Sequence, residues 1–195
     1  MSTDRLEAFS DGVFAIAITL LILEVRPAGG SSLAHQLLAA WPSYVAYLIS
    51  FVTIGIMWVN HHGIFSLISR TTHGLLVANL LFLMCIAFLP FPTRILAEHL
   101  QHAGGDQKTA AVFYNGFFLV TAIFYNLVWQ TAAWKHRLIA PEHQDAADQV
   151  SRRFWAGSPS YLIATLVAFK SVPAAIALDG ALAVFYLLPR RAATS

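Results

Sequence analysis

The sequence predicts an all-α membrane protein with six transmembrane helices, and its composition carries this prediction. Hydrophobic residues make up 57% of the chain and charged residues 11%, against roughly 25% charged residues in soluble domains. The mean hydropathy is +0.63. At about 20 residues per span, the chain has room for roughly five to seven helices. We therefore expect one membrane domain over residues 1–195, multi-pass in the cell membrane, with no soluble catalytic domain.

The first helix is predicted over residues 4–25, because Thr3 is a suitable N-cap and Pro27 ends the apolar run. This helix carries Ser10 and Asp11 into a segment that is otherwise apolar enough for lipid. Polar and ionisable residues inside a membrane span indicate a functional site. Function is therefore sought first in this helix.

The later helices follow from apolar runs that are separated by proline, glycine and charged residues. They are predicted over residues 37–65, 74–95 and 109–134, and, after a polar, partly helical connection at 135–153, as two short helices within 154–188. Pro90 and Pro92 are expected to break or bend the helix at 74–95 near its end. One long last helix is the competing interpretation. Lys170 and Pro173 favour a turn between two helices instead.

The basic residues predict the orientation in the membrane. With an even number of spans and a cytoplasmic N-terminus, eight basic residues lie inside and four outside, so we expect both termini in the cytoplasm. The eight are Arg5, Arg70, Lys135, Arg137, Arg152, Arg153, Arg190 and Arg191, and the four are Arg26, Arg94, Lys108 and Lys170.

One face of the first helix carries an apolar stripe. At about 100° per residue, Asp11 lies roughly 140° away from Ile16, which is on the stripe. The stripe therefore suits a second copy of the same helix, and Asp11 suits a neighbouring helix of its own subunit. Ordinary helix packing is the alternative interpretation of the stripe. Its members are Phe9, Gly12, Ile16, Thr19, Leu20 and Leu23.

The start of this helix resembles the signature of the transmembrane-protein-175 family of potassium channels, found in animal endosomes and lysosomes and in bacteria. The rest of the resemblance is an architecture of six helices and a cluster in the second helix, both less specific than the signature. The signature residues are Arg5-x-x-x-Phe9-Ser10-Asp11, followed by Ile16 and Thr19, and the cluster is Trp58, His61 and His62.

The resemblance implies a leak-type, potassium-preferring cation channel whose first helices line the pore. It also implies a homotetramer, since animal members pair two chains of two six-helix repeats each and this chain carries one. In the family, the constriction maps onto Ile16, Leu20 and Leu23, and the hydroxyl implicated in potassium preference maps onto Thr19. Potassium and other monovalent cations would pass through, with membrane lipid as the surrounding partner and no cofactor.

The residues themselves fit this implication. Rings of bulky aliphatic side chains around a symmetry axis close a pore by dewetting. The sequence has no Thr-Val-Gly-Tyr-Gly run, so selectivity from backbone carbonyls is not expected. A narrow apolar throat with a ring of Thr19 hydroxyls remains, and such a throat should favour the less strongly hydrated potassium over sodium.

Asp11 needs partners, because an isolated carboxylate costs several kcal/mol in a low-dielectric site. Under the predicted orientation, the end of the second helix lies at the same depth as Asp11. We expect a structural hydrogen-bond network that braces the pore helix, with a proton relay or sensor as the alternative. The expected members are Arg5, Phe9, Ser10, Asp11, Trp58, His61 and His62.

A proton-coupled membrane transporter that uses Asp11, His61 and His62 is the alternative function. An enzyme is not expected, because no nucleophile or metal triad accompanies the two histidines. Neighbouring residues on a helix point about 100° apart, so these histidines do not suit a metal pair, and we expect no metal site. Scattered basic residues argue against nucleic acid binding, and Cys85 as the only cysteine excludes an intrachain disulfide.

Overall fold

A computed structural model describes residues 3–27, 29, 32–100, 104–134 and 137–187, without the side chains of residues 152–157. The described residues are helical almost throughout and form no strand beyond an isolated bridge between Ile68 and Ile139. This confirms the all-α prediction. Among them, four helical stretches are long and apolar enough to cross a membrane, and two apolar helices are shorter. The four are Thr3–Glu24, Trp41–Phe65, His73–His99 and Gly105–Ala133, and the shorter two are Ser158–Ala168 and Val172–Leu187.

The first predicted helix is an α-helix for most of its length and then tightens. Helix α1 covers Thr3–Leu20, and a 3-10 segment follows over Leu21–Glu24. Such tightening is common at the carboxyl end of an α-helix, where the last carbonyls lack partners. Leu23 therefore lies on the 3-10 segment, where the turn per residue is larger than in the ideal helix used for the prediction.

The second predicted helix is two helices, so its predicted start at residue 37 is wrong. Helix α2 covers Leu33–Ala39, with the Ser32 hydroxyl accepting from the His35 N–H at 3.3 Å, and helix α3 covers Trp41–Phe65. The break at Ala40 has a local cause. Pro42 lacks an N–H and its ring conflicts with a preceding helical carbonyl, whereas proline suits the first turn of a new helix.

The third predicted helix is also divided by proline. Helix α4 covers His73–Phe88 and helix α5 covers Pro90–His99, with the junction at Leu89. Pro90 begins α5, as the sequence led us to expect for a break near the end of this span. The two helices follow one another closely enough to form one apolar stretch.

The last part of the chain has the predicted turn between two helices. Helix α6 covers Gly105–Ala133, after Gly104 with φ of 154°, helix α7 covers Gln144–Ala168, and helix α8 covers Val172–Leu187. The chain turns between the two helices at residues 169–171, as predicted, so a single long helix is excluded. The first of the two is longer than predicted, because it begins at Gln144 within the expected connection. Several basic residues used to predict the orientation lie outside the described residues or among the undescribed side chains: Lys135, Arg152, Arg153, Arg190 and Arg191.

A hydrophobic core lies between α1, α3, α4 and α6. At one end of the bundle, the loop before α4 is fixed to the loop after α6, because Arg70 Nη2 donates to the Arg137 carbonyl at 2.7 Å. At the carboxyl end of α1, Glu24 lies 3.8 Å from Arg94 on α5. The second contact joins the end of the first membrane helix to α5. The largest fully buried core side chains include Phe14, Phe65, Phe82, Tyr114, Phe118 and Trp129.

Candidate functional site on helix α1

Helix α1 has one buried face and one exposed face. Leu6, Phe14 and Leu21 are buried against the rest of the bundle, whereas Ile16 and Leu23 are each 62% exposed. The whole predicted stripe lies on the exposed face, so the chain leaves it without a partner. Its residues are Phe9, Gly12, Ile16, Thr19, Leu20 and Leu23.

Small residues run beside the stripe on the same exposed face. Ala8, Gly12 and Ala15 follow one another at helical spacing, and all three are exposed. A Cβ added at Gly12 would meet no atom within 4 Å. Small side chains let two helix backbones approach closely in a membrane. This face of α1 therefore suits contact with another helix better than a face of large side chains alone would.

Thr19 is the hydroxyl within the stripe, and its proton is committed to the backbone. Oγ1 lies 2.9 Å from the Ile16 carbonyl oxygen and 3.0 Å from that of Ala15. A hydroxyl has one proton and two lone pairs, so donation to these carbonyls leaves the lone pairs free. The side chain is exposed, and its oxygen can act as an acceptor or as a ligand for a cation.

Asp11 is held by α3 rather than by its own helix. The Trp58 indole Nε1 donates to Asp11 Oδ1 at 2.9 Å. Asp11 is half-buried, and its direction away from the stripe is the predicted one. Arg5 was expected in this network. In the structure it is exposed and forms no hydrogen bond or ion pair with the described residues.

Ser10 belongs to a buried chain of hydrogen bonds that links three helices. Its hydroxyl donates to the Leu6 carbonyl at 2.8 Å and accepts from Asn79 Nδ2 at 2.9 Å. Asn79 Oδ1 lies 2.9 Å from His61 Nε2, and an amide oxygen can only accept, so His61 carries its proton on Nε2. Ser10, Asn79 and His61 are all fully buried, which makes this chain the internal brace of α1.

The two neighbouring histidines have different surroundings. His61 stacks on Phe65 with ring centroids 4.2 Å apart, inside the core. His62 is exposed and its Nδ1 contacts Glu7 Oε1 at 2.5 Å. Sequence reasoning expected neither Glu7 nor Asn79 as partners of the histidines. Among the described residues, no three histidine, cysteine, aspartate or glutamate side chains lie together in a group that could hold a metal ion.

Glu24 lies beyond the stripe, at the end of the 3-10 segment. Its side chain is 21% exposed and lies 3.8 Å from Arg94 Nε, which donates to Glu98 Oε1 at 2.7 Å. His99 Nδ1 contacts the Ile95 carbonyl oxygen at 2.9 Å, and His102 lies outside the described residues. Glu24, Arg94 and Glu98 form a charged cluster at this end of the first membrane helix.

The structure also holds a polar group that sequence reasoning missed. Asp179 lies midway along α8 and is 6% exposed. The sequence did carry a signal for it, namely an acidic residue in the middle of an apolar helix. This carboxyl lies on a different helix from Asp11, on an element that packs against α3, α6 and α7.

Comparison with known proteins places this geometry among ion channels. Residues 5–90 match the family described as endosomal/lysosomal potassium channel TMEM175. A protein from Chamaesiphon minutus named a potassium channel is 44% identical over 192 residues, covering 95% of this chain and 94% of its own length. A potassium channel from Streptomyces collinus is also 44% identical, with 93% and 90% coverage.

A solved structure and an animal protein extend the comparison. The crystal structure of a lysosomal potassium-selective channel TMEM175 homolog from Chamaesiphon minutus matches with a TM-score of 0.86 and 42% identity, covering 94% of this chain and 95% of that one. A human protein named endosomal/lysosomal proton channel TMEM175 is 29% identical over 192 residues, but the match spans 36% of its length.

Proposed function

Since the chain belongs to the TMEM175 family, we propose that it is a leak-type, potassium-preferring cation channel whose α1 helices line a pore in a homotetramer. The bacterial relatives of full length are named potassium channels, which supports a channel function. In this proposal the side chains of Ile16, Leu20 and Leu23 form the constriction, and Thr19 contributes to potassium preference.

The observation that carries the proposal is the exposed stripe on α1. Many apolar side chains on the other helices are exposed as well, as expected for surfaces that face lipid. The α1 face differs because it combines Thr19 with the small residues Gly12 and Ala15, and Asp11 is tied down beside it. Four copies around a closed axis would bring these stripes together, leaving the buried face of α1 to its own subunit.

Six spans per subunit complete the proposed architecture. The first, second and fourth spans would be α1, α3 and α6. Helices α4 and α5 together would form the third span, and α8 would form the last. The apolar part of α7, Ser158–Ala168, would be the fifth span. Arg70 and Arg137 lie together at one end of the bundle, and Arg94 lies near the carboxyl end of α1, in keeping with the proposed cytoplasmic termini.

The physical basis of selectivity would be a narrow, weakly polar throat. Aliphatic side chains offer no oxygen to replace a hydration shell, so they raise the barrier for every ion. The Thr19 oxygens, with their protons directed to the backbone, would supply the few ligands available. Potassium loses its hydration shell more readily than sodium, and we therefore expect it to cross more easily.

A flux assay on purified protein in liposomes tests the proposal. With a potassium gradient and a proton ionophore to balance charge, we expect potassium efflux that greatly exceeds that of protein-free liposomes. Replacing internal potassium with sodium should slow the flux. Absence of flux from tetramers of demonstrated integrity, or flux that consumes a proton gradient in fixed proportion, would contradict a channel.

Proton permeation is the second candidate function, and the name of the animal relatives favours it. They are named proton channels, although this chain spans about a third of the human protein. A narrow throat that excludes hydrated ions can still hold a file of water. Acidification of liposomes that contain no permeant metal cation would reveal this activity, and Ile16→Asn should increase it by wetting the throat.

The alternative of a proton-coupled transporter through Asp11, His61 and His62 gains less support. These three side chains bond to three different partners, Trp58, Asn79 and Glu7, and none bonds to another of the three. A relay would require transfer between them. Potassium flux that persists unchanged in His62→Ala, with no proton movement, would exclude coupling through this histidine.

A further inference from the structure

Asp179 is the acidic side chain most completely enclosed by the described part of the chain. It lies midway along α8, is 6% exposed, and neither of its carboxyl oxygens has a hydrogen-bond partner among the described residues. Helix α8 packs against α3, α6 and α7. An ionised carboxylate without partners would be costly in such a place.

The neighbouring amide does not satisfy the carboxyl. Asn115 on α6 lies next to the Asp179 carboxyl and is 1% exposed, but no hydrogen bond of good geometry joins the two side chains. Asn115 Nδ2 donates instead to the Ala111 carbonyl at 3.1 Å. Both Asp179 oxygens are therefore buried without a donor from this amide.

The nearby hydroxyl groups direct their protons elsewhere. Thr93 Oγ1 donates to the Leu89 carbonyl at 2.8 Å, so the Ser50 hydroxyl must donate to Thr93, and Tyr114 must donate to Ser50. Tyr114 lies close enough to Asp179 to interact with it electrostatically, but its hydroxyl oxygen lies 2.9 Å from Ser50 Oγ, to which it donates in this order of donors. The chain of hydroxyl groups thus ends on a phenol oxygen that can accept and not donate.

No basic side chain of the described residues balances the carboxyl. The titratable groups near enough to feel its charge from the helices packed against α8 are the phenols Tyr114 on α6 and Tyr161 on α7. On α8 itself, Tyr186 lies near Tyr161. Helix α3 contributes no titratable group among those described near Asp179.

We propose that Asp179 is a proton-binding site inside the helix bundle, separate from α1, in which the buried carboxyl is held in its neutral form. The bound proton removes a charge that no hydrogen bond from the described residues would stabilise. A sodium or potassium ion would need several more oxygens around it, and the hydroxyl chain already uses its own oxygens internally. Loss of this proton would leave a charge between α8 and its neighbours and weaken their packing.

Infrared spectroscopy of the intact protein in lipid tests the proposal, because a protonated carboxyl has a carbonyl band distinct from a carboxylate. At neutral pH we expect such a band, shifted by carboxyl-¹³C aspartate in the unmodified chain and absent in Asp179→Asn. Asp11→Asn is the matched control. Asp11 lies on a different helix and accepts a hydrogen bond from Trp58, so this variant should keep the band.

Thermal unfolding gives an independent readout. Asp179→Asn resembles the neutral acid and should unfold near the wild-type temperature at mildly acidic pH. Unfolded aspartate is ionised above about pH 4, so wild-type folding takes up a proton, and its midpoint should fall relative to the variant as pH rises. Absence of the labelled band at neutral pH overturns the proposal. So does a wild-type midpoint raised by sodium or potassium over choline when that of Asp179→Asn is not.

Discussion

The indole Nε1 of Trp58 donates a 2.9 Å hydrogen bond to Asp11 Oδ1, and this bond ties α3 to the first helix beside its exposed stripe. Helix α1 is held at the same level by Ser10 through Asn79, inside the core. Two contacts on different sides of a helix restrict its rotation. They would therefore set which residues of α1 face the axis of the proposed tetramer.

The first prediction concerns this bond. Asp11→Ala removes the acceptor of this bond and should lower the free energy of unfolding by roughly 0.5–1.5 kcal/mol, with a lower tetramer yield. The effect should be small, because Trp58 is 43% exposed and its N–H can still reach other partners. Asp11→Asn keeps an acceptor oxygen and is the matched control. Unfolding curves and native mass measurement in mild detergent give the comparison. Stable Asp11→Ala tetramers with altered ion selectivity would instead place Asp11 in the pore.

The second prediction concerns the buried brace. Ser10→Ala removes the acceptor of Asn79 Nδ2 at a fully buried site, so the free energy of unfolding should fall by roughly 1–3 kcal/mol. Ser66→Ala is the control, because Ser66 lies just after α3, is exposed, and donates its hydroxyl proton to the Gly63 carbonyl three residues before it. Equal effects of the two substitutions in thermal unfolding would mean that the buried chain contributes no more than a surface hydroxyl.

The third prediction concerns Thr19. Thr19→Val keeps the shape of the side chain and removes its oxygen, so the preference for potassium over sodium should fall while permeation persists. Thr19→Ser keeps an oxygen that can donate to the same carbonyls and should retain most of the preference. Reversal potentials under biionic conditions measure this. If they stay unchanged in Thr19→Val, Thr19 has no part in selectivity.

The sequence was informative where local chemistry decides the structure. The signature residues predicted the family, and the composition predicted the all-α class. The interruptions near Pro90 and before Pro173 were also predicted, because proline acts on the backbone within a few residues. The exposed position of the α1 stripe followed from helical periodicity alone. The break at Ala40 was missed although Pro42 signals it, because the apolar run continues through it.

Contacts between distant residues could not be read in the same way. The order of side chains predicts which direction Asp11 points, but not that Trp58 rather than His61 meets it, since that depends on the sliding and rotation of α3. Nor does the order of residues indicate that Glu7 on α1 contacts His62 on α3. Asp179 carries a signal as an acidic residue in an apolar helix, but the helices that enclose it depend on how α8 packs.

The last prediction is that Ile16 forms the narrowest aliphatic ring and the main barrier to hydrated ions. It is 62% exposed, lies on the regular part of α1, and is β-branched, so its side chain is stiff at χ1. Leu23 is equally exposed but lies on the 3-10 segment, and Leu20 is 41% exposed. Both are unbranched at Cβ and can move aside more easily, so they should act as secondary rings.

Two substitutions at Ile16 separate size from polarity. Ile16→Ala should widen and wet the throat, and Ile16→Asn should supply polar atoms at similar size, so both should raise the current. Ile163→Ala is the matched control, because Ile163 on α7 is 54% exposed and, in the proposed assembly, contacts lipid. Single-channel recordings of intact tetramers give the result. Equal or lower conductance in both Ile16 variants would place the gate elsewhere and leave the stripe as a packing surface.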